Sequence, residues 1–116
     1  MVEAKPKIIH YSKIPSVPIG ESAPGSTMRW LIDKKNDGAP LYSLRLVEME
    51  PGGNSLKHAH DYEHENFVVQ GKGRVLIGDA WHDVAAGDVI FIPGNILHVF
   101  DNTGDELFAM LCAAPI

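Results

Sequence analysis

Beyond residue 40, the sequence alternates short apolar or β-branched runs with glycine, proline, asparagine and aspartate. This spacing of short runs and turn residues is typical of all-β sandwiches and barrels. It leaves little room for helix, so we predict an all-β chain. Residues that tolerate positive φ or pre-set a bend fall between the runs, which predicts tight turns there.

The apolar runs define the candidate strands. Each run is short and is followed by turn residues, as expected for strands that cross a small barrel. The candidates are Met28–Ile32, Leu41–Met49, Leu56–His60, Glu63–Gln70, Gly73–Ile77, Ala80–Val84, Val89–Ile92, Leu97–Asp101 and Leu107–Cys112.

The first 40 residues differ from the rest of the chain. Prolines and glycines interrupt any long strand there, at Pro15, Pro18, Gly20, Pro24 and Gly25. We interpret residues 1–40 as an N-terminal arm and edge strand, which pairs along the barrel edge or crosses to a second subunit, and residues 41–116 as the barrel. Because 116 residues with 45% apolar side chains can build one closed core, we expect one domain overall.

Composition and charge exclude several classes of protein. No apolar stretch approaches the roughly 18 to 20 residues that cross a bilayer, and the first residues do not read as a secretory signal. We therefore expect a cytoplasmic protein without a membrane partner. The single cysteine, Cys112, excludes an internal disulfide and fits a reducing compartment. The net charge is -5 with scattered basic residues, so nucleic acid is not expected as a partner.

Three of the six histidines, His58, His60 and His64, fall within seven positions of the sequence. Side chains alternate along a strand, so these three share a parity and can face one side if the chain bends near residues 61–62. His58 and His60 would then stand about 6.5 Å apart, close enough for two imidazoles to reach one ion. A lone histidine would more often be a solvated surface residue, but this cluster lies inside a strand pattern.

A fourth histidine, His98, lies in another candidate strand between apolar residues. Burying its imidazole without a partner would cost about 1–3 kcal/mol, so it needs a ligand role or a hydrogen-bonded core role. Together with the cluster, the ligand role is favoured. We therefore predict that His58, His60, His64 and His98 hold one divalent transition-metal ion.

Two stretches of the chain resemble the motifs of the cupin superfamily, G-x5-H-x-H-x3,4-E-x6-G and G-x5-P-x-G-x2-H-x3-N. The first motif is matched at both histidines and both glycines, with a histidine where the family usually has glutamate. The matching residues are Gly52, His58, His60 and Gly71, and the substituted position is His64.

The second motif is matched by Gly87, Pro93, His98 and Asn102. Asn95 stands in the place of the middle glycine. This departure is minor, because asparagine is among the few non-glycine residues that accept a left-handed turn.

The resemblance covers residues 52–102 directly and implies a single-domain antiparallel β-barrel or jelly roll. His64 makes the implied site all-histidine, similar to small four-histidine cupins and unlike the three-histidine, one-glutamate site of germin-like members. Glu65 is a rival ligand, because the family also allows a longer spacing. His64 keeps the family's spacing to Gly71 and shares its parity with Val68. Both observations favour His64 over Glu65 as the ligand.

Four neutral ligands leave the charge of a divalent ion uncompensated. This favours an anion, hydroxide or an enolate-like substrate at the open positions of the ion. Manganese, iron, nickel, copper and zinc all accept imidazole ligands, so the sequence leaves the metal open.

Four residues are candidates for an apolar wall beside the metal. Phe108, Met110 and Cys112 share a parity in one strand, and Phe100 has the parity of His98. Ordinary core packing is the alternative for each of them. Cys112 is not favoured as a nucleophile, because no separate histidine partner is visible for it.

Arg45 lies in the middle of a candidate strand. If it faces inward, its guanidinium could clamp a carboxylate or phenolate substrate, although such an arginine more often lies on the outer face. His10 and His82 lack ligand spacing and are expected to be exposed.

The resemblance leaves three functions open. For each of them we expect a small-molecule ligand, and we expect the protein to form a homodimer. The first is a metal-dependent oxygenase acting on a small aromatic or enolic substrate, similar to the quercetin or acireductone dioxygenases among cupins. The second is an isomerase or lyase acting on a sugar or keto acid, with the metal as Lewis acid. The third is a non-enzymatic ligand-binding or metal-sensing module.

Overall fold

The structure of the protein, a computed structural model, describes residues 2–55 and 58–116. It is built almost entirely of antiparallel strands. In chain order they are β1 (Val17–Pro18), β2 (Ser26–Ile32), β3 (Tyr42–Met49), β4 (His64–Gln70), β5 (Lys72–Ile77), β6 (Ala80–Ala85), β7 (Val89–Ile92), β8 (His98–Asp101) and β9 (Phe108–Pro115). A 3-10 turn (Tyr11–Lys13) and a one-turn helix α1 (Lys34–Asp37) complete the described elements.

The strands form two sheets around one core. The larger sheet has the order β1-β2-β3-β9-β4-β7, and the smaller has the order β6-β5-β8. The predicted all-β antiparallel fold of the jelly-roll type is confirmed. In the part of the chain that the structure describes, no helix has the length and apolarity that crossing a membrane requires.

Alternation along the strands decides which side chains face the core. In β4, His64, Asn66 and Val68 are buried while the residues between them are exposed, as the two-residue period of a strand requires. The core joins both sheets, since it includes Val75 of the smaller sheet as well as Val68 of the larger. Its other members are Val47, Met49, Ile90, Ile92, Phe100, Phe108 and Met110.

Most candidate strands are found within one or two residues of their predicted bounds. Two candidates differ more. The candidate Leu107–Cys112 is found as β9, which continues three residues farther to Pro115. Of the candidate Leu56–His60, residues 56–57 lie outside the described residues. The described remainder forms a single bridge, in which His58 pairs with His98. The sequence reading also missed β1 and α1, both of which lie in the first 40 residues.

The first 40 residues pair along the edge of the larger sheet. β1 pairs with β2, and β2 pairs with β3. Several contacts hold the preceding segment to this edge. Arg29 Nη1 donates to the carbonyl of Ile14 at 2.5 Å, and Lys7 Nζ donates to the carbonyl of Leu31 at 2.6 Å and lies 2.7 Å from an Asp37 carboxylate oxygen.

The motif asparagine Asn95 has φ 66°, which confirms the expected left-handed turn. Its backbone N–H donates to the carbonyl of His60 at 2.5 Å. This turn between β7 and β8 therefore ties down the loop that carries His60.

Candidate metal centre

Four histidines from two regions of the chain converge at one end of the barrel. His64 is the first residue of β4 and His98 the first residue of β8. His58 reaches them through two backbone hydrogen bonds with His98, of 3.2 and 3.0 Å. His60 lies in the loop before β4. One imidazole nitrogen from each of the four lies within 4.8 Å of the others, a spacing that could hold one metal ion.

Backbone carbonyls set the orientation of two of these rings. His60 Nδ1 lies 2.8 Å from the carbonyl oxygen of Tyr62, and His98 Nδ1 lies 2.8 Å from that of Ile96. A carbonyl oxygen only accepts hydrogen bonds, so each Nδ1 carries the proton and each Nε2 offers a lone pair. A metal-binding histidine usually donates its other ring N–H to a carbonyl oxygen in this way.

The inward nitrogens of this cluster fit a cation. His98 is 2% exposed, and its Nε2 is buried without a hydrogen-bond partner among the described residues. His60 Nε2 and His64 Nε2 lie 2.8 Å apart. A lone pair of His60 thus points at His64, and a divalent ion would turn both nitrogens into ligands. The residues present therefore fit a metal ion.

The surroundings of His64 keep its imidazole neutral. Burial lowers the pKa of His64 to about 3, with further lowering by His60, Arg45 and the other cluster histidines. Burial also lowers the pKa of His98, against the raising effect of the hydrogen bond that His98 donates to the Ile96 carbonyl. Neutral imidazole is the form that binds metal.

His64 has a second contact on its far side. Its Nδ1 lies 3.0 Å from Cys112 Sγ, and Arg45 Nη2 donates to the same sulfur at 3.1 Å. Burial raises the pKa of the Cys112 thiol, against the lowering effect of Arg45. Cys112 therefore stands behind a candidate ligand and not inside the ligand cluster.

A cavity of about 200 Å³ opens beside the histidines. His58, His64 and His98 form part of its wall. Of the sequence-predicted wall residues, Phe100, Met110 and Cys112 line it, as does Arg45. The remaining walls are largely apolar and comprise Ile19, Met28, Val47 and Met49, with Ser55, Tyr62 and Asn66 as polar members.

Phe108 does not belong to the described lining of this cavity. It is fully buried in the core, where its ring packs so close to Gly73 that a Cβ there would lie 2.6 Å from it. Phe108 shares the inward face of β9 with Met110 and Cys112 but lies two residues farther from the site. For Phe108, ordinary core packing is the role that the structure gives.

The other histidines and the rival carboxylate lie away from the cluster. His10 and His82 are exposed. Glu65 is exposed on the opposite side of β4 from His64, and a hydrogen bond with Glu63 raises its pKa.

Several residues that line the cavity were missed from the sequence, and Asn66 and Tyr62 are two of them. Asn66 shares the parity of His64, which was a usable signal for its inward orientation. Tyr62 stacks on His60 with ring centroids 3.8 Å apart and planes 9° from parallel, and lines the cavity. Its position depends on the loop conformation, which no pattern in the sequence indicates.

Comparison with known families adds to this geometry. The model of a family described as "Cupin domain" matches residues 45–114. The 1-methylthio-D-xylulose 5-phosphate methylsulfurylase of Rhodospirillum rubrum is 36% identical over 69 residues, which are 60% of this chain and 44% of that protein. The match thus spans less than half the length of that relative. Protein SchB of Streptomyces halstedii is 27% identical over 106 residues, covering 90% of this chain and 74% of SchB.

Solved structures give the same picture of the fold. The polyketide cyclase RemF from Streptomyces resistomycificus superposes with a TM-score of 0.88 at 30% identity, covering 96% of this chain and 80% of RemF. A cupin-2 domain from Rhodospirillum rubrum, Rru_A2000, superposes with a TM-score of 0.78 at 27% identity, covering 98% of this chain and 77% of that one.

Proposed function

This chain belongs to the cupin family, and from that premise we propose that it is a metal-dependent enzyme acting on a small, largely apolar substrate with an enolisable carbonyl group. The observation that carries the proposal is the cluster of four histidines, three of which form part of the wall of an apolar cavity. Such a cavity with a few convergent polar groups is the usual form of a small-molecule site.

A divalent ion held by His58, His60, His64 and His98 would supply Lewis-acid polarisation of a carbonyl oxygen and stabilise the charge of an enolate. The chain supplies the rest of the environment. Apolar walls exclude water, which strengthens electrostatic interactions inside the cavity. The described lining includes no carboxylate, so no anionic side chain of the lining competes with the substrate for the cation.

The relatives support a redox-neutral reaction. RemF is a polyketide cyclase, and polyketides carry ketone groups whose neighbouring carbons enolise. A Polyketide synthase CurC from Streptomyces cyaneus is 31% identical over 83 residues, covering 71% of this chain and 54% of CurC. We therefore favour enolate chemistry without oxidation, such as a condensation or an isomerisation, over an oxygenase.

Oxygenase chemistry on the same substrate class is the second candidate. Four imidazoles accept iron and manganese as readily as zinc, and the apolar walls suit an aromatic or enolic molecule. A sugar would find few hydrogen-bond partners among the described wall residues, so the sugar version of the isomerase hypothesis is disfavoured. A non-enzymatic binding module is the outcome if no metal form turns over a substrate.

The homodimer and the cytoplasmic location stay predictions. The exposed apolar side chains of Val89 and Phe91 on the edge strand β7 support an assembly with a second copy.

Deuterium exchange tests the proposed function. Phenylacetone is a small apolar ketone with an enolisable CH2 group and no charge. Zinc-, iron- and manganese-loaded protein are each expected to accelerate exchange of its CH2 protons in D2O, because Lewis-acid stabilisation of the enolate does not require a redox-active metal. The rate is followed by proton NMR, with oxygen uptake recorded in parallel.

A matched control separates the site from metal released into solution. Protein with His98→Ala, given the same total zinc, should exchange the CH2 protons no faster than free zinc does. Oxygen uptake by the iron form together with no exchange by the zinc form would replace the proposal with the oxygenase. Binding of the ketone with neither proton exchange nor oxygen uptake would instead support the non-enzymatic binding module.

A further inference from the structure

Arg45 carries a charge into the cavity that no carboxylate balances. It lies on β3 and lines the cavity beside the histidines. The ion pairs among the described residues, which join Lys7 to Asp37, Arg29 to Glu48 and Arg74 to Asp101, do not include it.

The contacts of the Arg45 guanidinium leave most of its donors unused. Nη2 donates to Cys112 Sγ at 3.1 Å, and the group lies 5.5 Å from the Trp30 ring centroid. Nε is buried without a hydrogen-bond partner in the described part of the chain. A guanidinium has five N–H donors. Arg45 as a whole is half-buried, and its buried Nε would gain a hydrogen-bond partner from a ligand that accepts.

Strand register places a second unpartnered polar group in the same row. Arg45 on β3 is opposite Cys112 on β9, and Cys112 is opposite Asn66 on β4. Asn66 is 5% exposed and lines the cavity, and its Oδ1 has no hydrogen-bond partner among residues 2–55 and 58–116. Three adjacent strands thus present one polar row to an otherwise apolar wall, in which Arg45 supplies N–H donors whereas Asn66 Oδ1 is an acceptor and does not pair with a carboxylate.

This row is next to the metal centre. Cys112 Sγ lies 3.1 Å from Arg45 Nη2 and 3.0 Å from His64 Nδ1, so one sulfur atom separates the guanidinium from a candidate ligand. Loading of a divalent ion would add a second positive charge to a cavity that already contains one. A neutral substrate would leave both charges uncompensated, whereas an anion would compensate them.

From this arrangement we propose that the Arg45 guanidinium forms a carboxylate-binding subsite, so that the substrate is a small acid with an apolar body. The inference rests on the proposed function, because it names the substrate class of the same cavity. The planar fork of a guanidinium matches the two oxygens of a carboxylate. A cavity of about 200 Å³ with one cationic side chain suits a singly charged acid better than a phosphate ester, which is larger and more highly charged.

Binding of benzoate and benzamide tests the subsite. The two probes have the same shape and differ in charge, and zinc-loaded protein removes any redox reaction from the measurement. Isothermal titration is expected to give an affinity for benzoate about tenfold or more above that for benzamide. Arg45→Met should lower the benzoate affinity by about tenfold or more and leave the benzamide affinity unchanged.

Two further variants keep the result interpretable. Arg74→Met removes the same charge from the smaller sheet, where Arg74 pairs with Asp101, and should leave benzoate binding unchanged. Arg45→Lys keeps the charge but loses the planar fork of the guanidinium, so it should also weaken benzoate binding. This variant replaces Arg45→Met in the test if Arg45→Met does not fold. Equal benzoate affinities for wild type and both Arg45 variants would overturn the subsite.

A comparison of metal-free with zinc-loaded protein distinguishes a failure of this proposal from a failure of the proposed function. The titrations are repeated with metal-free protein, and zinc per chain is measured in each variant. Loss of benzoate affinity in the Arg45 variants of metal-free protein supports the subsite even if the enzyme activity is absent. Benzamide binding as tightly as benzoate to wild-type protein, in both metal states, would contradict it.

Discussion

Replacing His98 by alanine is expected to reduce bound metal from one ion per chain to less than about a tenth of that, since even changes behind a metal ligand cost about 10- to 100-fold in affinity. His98 has the strongest geometric claim to a ligand role. Its Nδ1 is held by the Ile96 carbonyl, and its buried Nε2 has no hydrogen-bond partner in the described chain. Metal analysis of protein purified without added metal measures the effect.

The other histidines provide the controls for this result. Alanine at His58, His60 or His64 should lower the metal content in the same way. His82→Ala and Glu65→Ala should retain full metal, because both side chains are exposed away from the cluster. Full metal content in the His64 variant together with loss in the Glu65 variant would show that the ligand assignment is wrong.

Removing the metal is expected to lower the melting temperature but leave the barrel folded. An ion present at about 1,000 times its dissociation constant stabilises the native state by about 4 kcal/mol, which in a domain of this size corresponds to a shift on the order of 10 °C or more. Thermal unfolding followed by circular dichroism, with and without chelator, measures this shift.

The barrel should survive chelation because its core does not depend on the histidines. Phe108, Met49 and Val68 are fully buried and belong to the core that both sheets share. Chelator should have no effect on the melting temperature of the His98→Ala variant, which serves as the matched control. Complete unfolding of the wild-type protein on chelation would instead make the ion structural.

The ligand cluster was predictable because its information is local. His58, His60 and His64 lie close in sequence, and the motif spacing brings His98 to the same end of the barrel. The turn at Asn95 was predictable for the same reason, since a left-handed φ restricts which residues can occupy it. Alternation also gave the inward face of β4 and therefore the exposure of Glu65.

The wall of the cavity was only partly predictable, because parity gives the face of a strand but not the depth along it. Phe108 and Met110 share the inward face of β9, yet Phe108 packs in the core and Met110 lines the cavity. The row of Arg45, Cys112 and Asn66 depends on register between strands far apart in sequence. No pattern within a single strand contains that register.

The N-terminal region was the least predictable part of the fold. β1 has two residues and α1 has four, too few for periodicity to indicate either. α1 depends on its caps: the Asp33 side chain accepts from the backbone N–H of Asn36, and Gly38 adopts a left-handed conformation at the other end. Pairing with β3 holds β2 in place, and that contact is set by the tertiary fold.

X-ray absorption spectroscopy of zinc-loaded protein tests the central claim most directly, because it reports the atoms bound to the ion. The four-histidine centre predicts a nitrogen shell at about 2.0–2.1 Å, with the outer-shell scattering of four imidazoles. Cys112 stands behind His64 and should not contribute. A sulfur shell at about 2.3 Å, or scattering from fewer than three imidazoles, would contradict the assignment of His58, His60, His64 and His98 as the metal ligands.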